Sequence, residues 1–263
     1  MLIFLKLGGS LITNKDIPFY ARKGTLKRLG AEIAKAIDKN HELTLLIGHG
    51  SGSFGHSTAA HFGTRAGIHS AEDWLGFQKV WWAAHLLNQI IIEEFHNFGL
   101  PIISLPASAS LVSSNKKVDQ WNIQPILSSL QNRLLPIIFG DVVIDNKLGA
   151  TIFSTEELFS YLVNELHPSR ILLAGKERGV FLDYPRNQDL ISMITPDTYP
   201  SISNKINASD SIDVTGGMAS KVRSMLDLIT LEENLSIDIF SGEEENNLFR
   251  VISGEKIGTR LCR

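Results

Sequence analysis

The sequence predicts an α/β protein built on a mostly parallel sheet with helices on both faces. Two patterns carry that expectation: short apolar runs rich in β-branched residues, which suit strands buried on both sides, and amphipathic helical stripes between them. Strand and helix alternate, and such alternation packs as crossovers on a parallel sheet whose ligands gather beyond the carboxyl ends of the strands. A length of 263 residues fits one large unit or two lobes.

Leu2 to Leu7 is the first run, apolar apart from Lys6. It reads as a buried strand rather than a leader, because only five apolar residues precede a lysine and two glycines. Leu26, Leu29, Ile33 and Ile37 then recur at helical spacing, and Leu43 to Ile47 predicts the second strand. Phe77, Trp81, Ala84, Leu87, Ile91 and Phe95 draw a stripe down a long second helix. Further strands are predicted at Ile102–Leu105, Pro136–Phe139, Ile171–Ala174 and Ile237–Phe240. Residues 184–211 hold Pro185, Pro196 and Pro200 among Asn, Asp and Ser, which predicts a loop-rich excursion or hairpin. Glu243-Glu244-Glu245 reads as the solvated start of a helix.

Composition excludes several classes. With 43% hydrophobic and 20% charged residues the chain is neither disordered nor collagen-like, and no run approaches the roughly 18 apolar residues of a membrane span. A formal charge of −3 supplies no broad basic face for nucleic acid or an anionic membrane, so any bound anion must be met locally. One cysteine, Cys262, rules out a disulfide within the chain and a Cys-based zinc site, and fits a reducing cytoplasm.

The chemistry is concentrated in glycine clusters that follow predicted strands. Lys6-Leu7-Gly8-Gly9-Ser10 follows the first, and Gly48-His49-Gly50-Ser51-Gly52-Ser53-Phe54-Gly55-His56 follows the second. Glycine lets a backbone approach a ligand closely, so that successive N–H groups form an anion-binding concavity, and phosphate is the natural guest. Neither cluster is a Walker loop or a dinucleotide fingerprint, and a single glycine pair is equally well a tight turn. A third cluster, Asp213-Val214-Thr215-Gly216-Gly217, opens a helix that places Lys221 one turn inside its positive end. Lys221 taken alone is equally a solvated lysine. Lys6 ends a buried strand, where an unpaired ammonium is costly, so it must meet a carboxylate or a phosphate. Asp141, just past another buried strand, is the candidate carboxylate, with a turn or cap as its plainer role. His56 and His61 are five apart and lack further ligands for a zinc site, but His56 closes the second glycine loop, where it either bonds a phosphate oxygen or caps a helix. Ser53 has no nucleophile elbow, which removes acyl-transfer logic.

With these residues the chain resembles the amino-acid kinase superfamily and, within it, the isopentenyl phosphate kinases. The resemblance runs nearly end to end: Lys6 to Ser10 with Lys15, the loop His49 to His56, Gly140 to Asp145, Tyr161 to Leu166, Ser211 to Met218 with Lys221, and Gly254-Glu255 with Gly258-Thr259. His56 after Ser-Phe-Gly is the more specific feature, matching the histidine that holds the acceptor's phosphate in that family. The resemblance implies an α/β/α sandwich around a mainly parallel sheet, a single domain with an acceptor lobe over about 1–166 and a nucleotide lobe over about 167–263, and a homodimer. It implies ATP as phosphoryl donor, Mg²⁺ bound mainly through the phosphates, and isopentenyl phosphate as acceptor.

The implied roles are Lys6 and Lys221 on the β- and γ-phosphates, Lys15 assisting the transition state, Asp141 orienting the lysines, and His56 gripping the acceptor. Gly50, Ser51, Thr155 and the helix residues Phe77, Val80 and Trp81 are expected around the acceptor. Gly8, Gly9, Ser10, Gly52, Lys176, Gly179, Gly216 and Gly217 are expected around the nucleotide. The chain departs from the family pattern at Ser51, at Phe139, at Thr155-Glu156-Glu157 in place of Gly-Asp-Asp, and at Gly175 to Val180. A phosphate acceptor is already anionic at pH 7, which fits the absence of an obvious general base. Two other readings stay open at this point: a kinase of another small phosphate or phosphonate, of the fosfomycin type, and a non-catalytic nucleotide or anion sensor.

Overall fold

The computed structural model describes residues 1–183, 186–207 and 217–263. β1 (Leu2–Leu7) runs into a single turn, α1 (Gly9–Ile12), and α2 (Lys23–Lys39) leads to β2 (Thr44–His49). α3 (Gly52–Phe62) and the long α4 (Ala71–His96) precede β3 (Ile102–Ser104), β4 (Leu111–Ser114), β5 (Lys117–Trp121) and α5 (Gln124–Gln131). β6 (Leu135–Phe139), β7 (Asp141–Asp145), β8 (Gly149–Phe153) and α6 (Thr155–Leu166) follow. The remainder is β9 (Arg170–Gly175), β10 (Val180–Phe181), β11 (Leu190–Ile191), β12 (Met193–Ile194), α7 (Tyr199–Asn207), α8 (Gly217–Leu231), β13 (Ser236–Ser241), α9 (Asn247–Ile252) and β14 (Thr259–Leu261).

The main sheet runs β12-β14-β13-β9-β1-β2-β6-β3, and every neighbouring pair is parallel except β13 with β14. Its apolar strands are buried on both faces, which is why they read as uninterrupted apolar runs. Alternation along β1 sends Phe4 into one core with α5, α6 and α8, and Ile3 and Leu5 into the other with α2, α4 and α9. The result is three layers, helix on sheet on helix, as expected.

A second, four-stranded sheet, β5-β4-β7-β8, was not among the expected elements. Its strands are short and mixed in polarity; along Lys117–Trp121 only Trp121 is buried. The hairpin expected around residues 184–211 is present, β10 pairing with β11, and α7 follows it; residues 184, 185 and 208–211 lie outside the described ones. The expected helix start at Glu243–Glu245 is corrected, because α9 begins at Asn247 and Glu243 is an ion-pair partner of Arg22. Among the described residues no helix is long and apolar enough to cross a membrane.

Candidate active site

β1 and β2 end level, Leu7 opposite His49, and Ala174 of β9 lies opposite Leu7 on the other side. The turns beyond these ends are stitched together. Gly8 N–H donates to the Ala174 carbonyl at 2.8 Å, Gly50 N–H to the Leu7 carbonyl at 3.0 Å, and Gly242 N–H to the Gly175 carbonyl at 2.8 Å. The first two glycine loops touch so closely that side chains are excluded: a Cβ on Gly9 would stand 2.5 Å from the Gly52 nitrogen, and one on Gly50 2.9 Å from the Gly9 nitrogen. Gly52 also has φ of +48°, a conformation that favours glycine. Thr13, which the sequence did not single out, joins the loops: its hydroxyl donates to the Gly9 carbonyl at 2.7 Å and accepts the Ser53 N–H at 3.0 Å. Gly9 and Ser10 open α1, while Ser51 stands at the N-cap position of α3 without a side-chain capping bond and Gly52 opens that helix. The first N–H groups of a helix lack an intrahelical acceptor and carry its positive dipole end, so two such ends in contact suit anionic oxygens.

Lys6 is 9% exposed, and its Nζ is ion-paired with Glu156, the second residue of α6. This corrects the expected pairing with Asp141. The reason is strand alternation: Lys6 shares a face with Phe4, whose ring packs 5.0 Å from that of Phe159 in α6, so Lys6 meets the same helix one turn earlier. Burial pushes the Glu156 carboxyl up, but the charges of Lys6 and Lys221 and the Lys6 hydrogen bond outweigh it and hold the carboxyl below its ordinary range. Two lysines from opposite halves of the chain therefore act on one carboxylate. That carboxylate comes from Thr155-Glu156-Glu157, one of the four places where the chain departs from the family pattern. Ser154 caps α6 and forms a capping box with Glu157, which sets the first turn.

Asp141 is held by α4 and by backbone N–H groups. It is fully buried, accepts the Val142 N–H at 2.9 Å and the Ser108 N–H at 3.2 Å, and its Oδ2 faces His85 Nε2 at 3.3 Å. His85 in turn lies 4.1 Å from the ring of Trp81 and 5.0 Å, edge to face, from Phe139. Asp141 thus locks α4 to the start of β7. His49 is also internal, stacked on Phe139 at 5.0 Å, with Gly50 O and Asn88 Oδ1 beside its nitrogens. Burial lowers its pKa to about 4, so it is neutral at pH 7. The Thr155 hydroxyl donates to the His49 carbonyl at 2.6 Å and braces α6 against β2.

On α4, Val80 is core at 4% exposure, whereas Trp81 is 37% exposed and Phe77 is half-buried against Trp74. His56 falls within α3, and its imidazole lies outside the described residues, as does Gly216. Gly217 opens α8 with φ of +67°. Lys15 sits exposed in the loop after Thr13. Lys176 lies close enough to Glu243 that its charge adds to the Arg22 hydrogen bond in holding that carboxyl down. Gly179 is required by packing, since a Cβ there would stand 2.6 Å from Thr259 Oγ1. Among the described residues no group of three His, Cys, Asp or Glu could hold a metal ion.

Paired glycine turns at the carboxyl edge of a parallel sheet, with lysines converging from both halves, describe a phosphoryl-handling α/β fold. The chain belongs to the amino acid kinase family, whose family model matches residues 1–241. The isopentenyl phosphate kinase of Methanocaldococcus jannaschii is 33% identical over 270 residues, covering 99% of this chain and 98% of that protein. Its counterpart in Methanothermobacter thermautotrophicus is 30% identical over 274 residues, covering 99% and 98%. A solved isopentenyl phosphate kinase superposes with a TM-score of 0.82 at 28% identity, covering 99% of this chain and 100% of that one. A second, in a substrate complex, has a TM-score of 0.78 at 21% identity and bears on the fold alone. Within the family the chain is placed among the isopentenyl phosphate kinases.

Proposed function

We propose that this chain transfers the γ-phosphoryl group of ATP to isopentenyl phosphate, forming isopentenyl diphosphate and ADP. The observation that carries the reading is the Lys6–Glu156 ion pair at the edge where the glycine loops meet, on a carboxyl that the charge of Lys221 also holds down. In the transfer, an oxygen of the acceptor's phosphate attacks the γ-phosphorus in line as the bond to the ADP oxygen breaks. The acceptor is already ionised, so no general base is needed; the chain must position two anions and neutralise their charge. Lys6 and Lys221 supply charge on the β- and γ-phosphates, and Glu156 keeps the two ammonium groups together. The N–H groups of Gly9, Ser10 and Gly52 orient the phosphates, while Gly8 and Gly50, whose own N–H groups bond Ala174 and Leu7, let the backbones approach. His56 grips the acceptor, and Lys15 meets the charge that spreads over the transferring oxygens. Mg²⁺, held through the phosphates, supplies further charge neutralisation when bound. The same reading carries an acceptor lobe over about 1–166, a nucleotide lobe over about 167–263 that includes Lys176, a homodimer, and a cytoplasmic location.

The test is an acceptor screen with Mg-ATP, read as ADP release and as the phosphorylated product. Isopentenyl phosphate is expected to turn over with the highest kcat/KM among small phosphates and phosphonates. Failure to use any prenyl phosphate overturns the proposal.

A further inference from the structure

We infer that Phe19 is a positioning residue for phosphoryl transfer: it pins the loop that carries Lys15 against the acceptor-side glycine loop. The loop, residues 14–20, is closed at its base by the Thr13–Ala21 bridge and by Asn14 N–H donating to the Tyr20 carbonyl at 3.0 Å. That base is Thr13, the residue whose hydroxyl joins Gly9 to Ser53. Lys15 lies two residues further on, and two residues of chain span no more than about 7 Å. The stem of the loop is therefore tied to the site, and the free variable is how the distal limb is held.

Phe19 holds it. Its backbone adopts φ of +57°, a conformation rare for a bulky residue, which persists only where the surroundings over-determine it. They do so in three ways. The Phe19 N–H donates to the Ser53 carbonyl at 3.4 Å, its ring meets that of Phe54 edge to face at 5.4 Å, and Trp82 of α4 lies 5.9 Å away on the other side. Ser53 and Phe54 belong to the first turn of α3, directly after Gly52, so the anchor and the phosphate-facing backbone are one rigid unit. The limb as a whole is poorly buried, with Ile17 47%, Phe19 43% and Tyr20 51% exposed, and the contacts of Phe19 tie it to α3 and α4. Without the ring, Lys15 samples more space and loses the orientation that a charge needs to act on a developing transition state.

The inference rests on the proposed role of Lys15, and a double-mutant cycle separates the two. Lys15→Ala, Phe19→Ala and the double variant are compared for kcat and for the KM of ATP and of isopentenyl phosphate. Phe19→Ala is expected to lower kcat at least tenfold, with the KM for ATP within twofold, and to add less than twofold in the Lys15→Ala background. Phe19→Tyr should restore most of the activity. Phe19→Gly, which relieves the backbone strain, and Trp82→Ala, which removes the outer wall, should show the same coupling and serve if Phe19→Ala fails to fold. Equal losses in both Lys15 backgrounds, or an unchanged kcat on losing the ring, overturn the inference. Wild-type kcat in Lys15→Ala instead removes Lys15 from the transfer and the inference with it.

Discussion

Lys6 is tolerable inside a strand because Glu156 neutralises it, and neither residue's role can be described without the other. Burying one unpaired charge would cost several kcal/mol, so the pair behaves as a unit that also engages Lys221. Lys6→Ala and Lys221→Ala are each expected to lower kcat by about 10²–10³-fold, the usual loss when one preorganised electrostatic contact to a transition state is removed. Steady-state rates at saturating Mg-ATP and acceptor decide it, and wild-type turnover in either variant excludes that lysine. His49 gives a pH prediction of definite sign. Its folded pKa of about 4 lies below the ordinary 6.5, so the unfolded chain binds the proton more tightly. Stability is therefore intact above pH 6.5 and is lost as pH falls toward 4, by about 2 kcal/mol between pH 7 and pH 5. Denaturant unfolding at those two pH values should show that loss in the wild type and a smaller one in His49→Gln. Parallel pH dependences would contradict a neutral buried imidazole.

At the scale of elements, α4 divides its labour along its length. Leu87, Ile91 and Phe95 are core, Val80 is core nearer the start, and Trp81 projects beside His85, where Asp141 holds the pair. If α4 walls the acceptor's tail, Trp81→Ala should let ten- and fifteen-carbon monophosphates compete better against the five-carbon substrate, each newly buried CH₂ contributing about 0.8 kcal/mol. Val80→Ala should instead lower stability by roughly 1–3 kcal/mol and leave the preference alone. Competition assays with the three chain lengths, alongside thermal unfolding, separate these outcomes; an unchanged preference in Trp81→Ala moves the tail elsewhere.

The whole molecule is organised around one sheet that runs through both halves. β9, from the second half, pairs with β1 on one side and β13 on the other, and buried Asp238 bonds both Arg170 of β9 and Arg260 of β14. A chain ending near residue 166 would leave β1 with an open edge, so the proposed lobes are expected to unfold together. The tryptophans make this measurable, because Trp74, Trp81, Trp82 and Trp121 all precede that point. Their fluorescence reports on the first half alone, whereas far-UV circular dichroism reports on both. Coincident denaturation midpoints are expected, and ATP should raise both together. Separate midpoints would show that the halves fold independently.

The main sheet was readable from sequence because parallel strands buried on both faces are apolar over most of their length, and Leu2–Leu7 or Arg170–Gly175, apart from the paired Lys6 and Arg170, have little else to be. The glycine clusters were readable for a similar reason: Gly9, Gly50 and Gly52 occur where two backbones touch and no side chain fits. What sequence alone left open was pairing at a distance. That Lys6 needs a counter-charge follows from its burial, but that Glu156 supplies it, 150 residues away, depends on which helix lies over that face of β1. Asp141 had the right chemistry, but it lies beside Ser108, Val142 and His85 rather than Lys6. The second sheet stayed hidden because its strands each bury only part of their length and carry no long apolar signal. Composition and periodicity thus determined which residues are inside and where a phosphate can approach. Only the packed structure decided which charges meet, because that is set by the register of elements far apart in the chain.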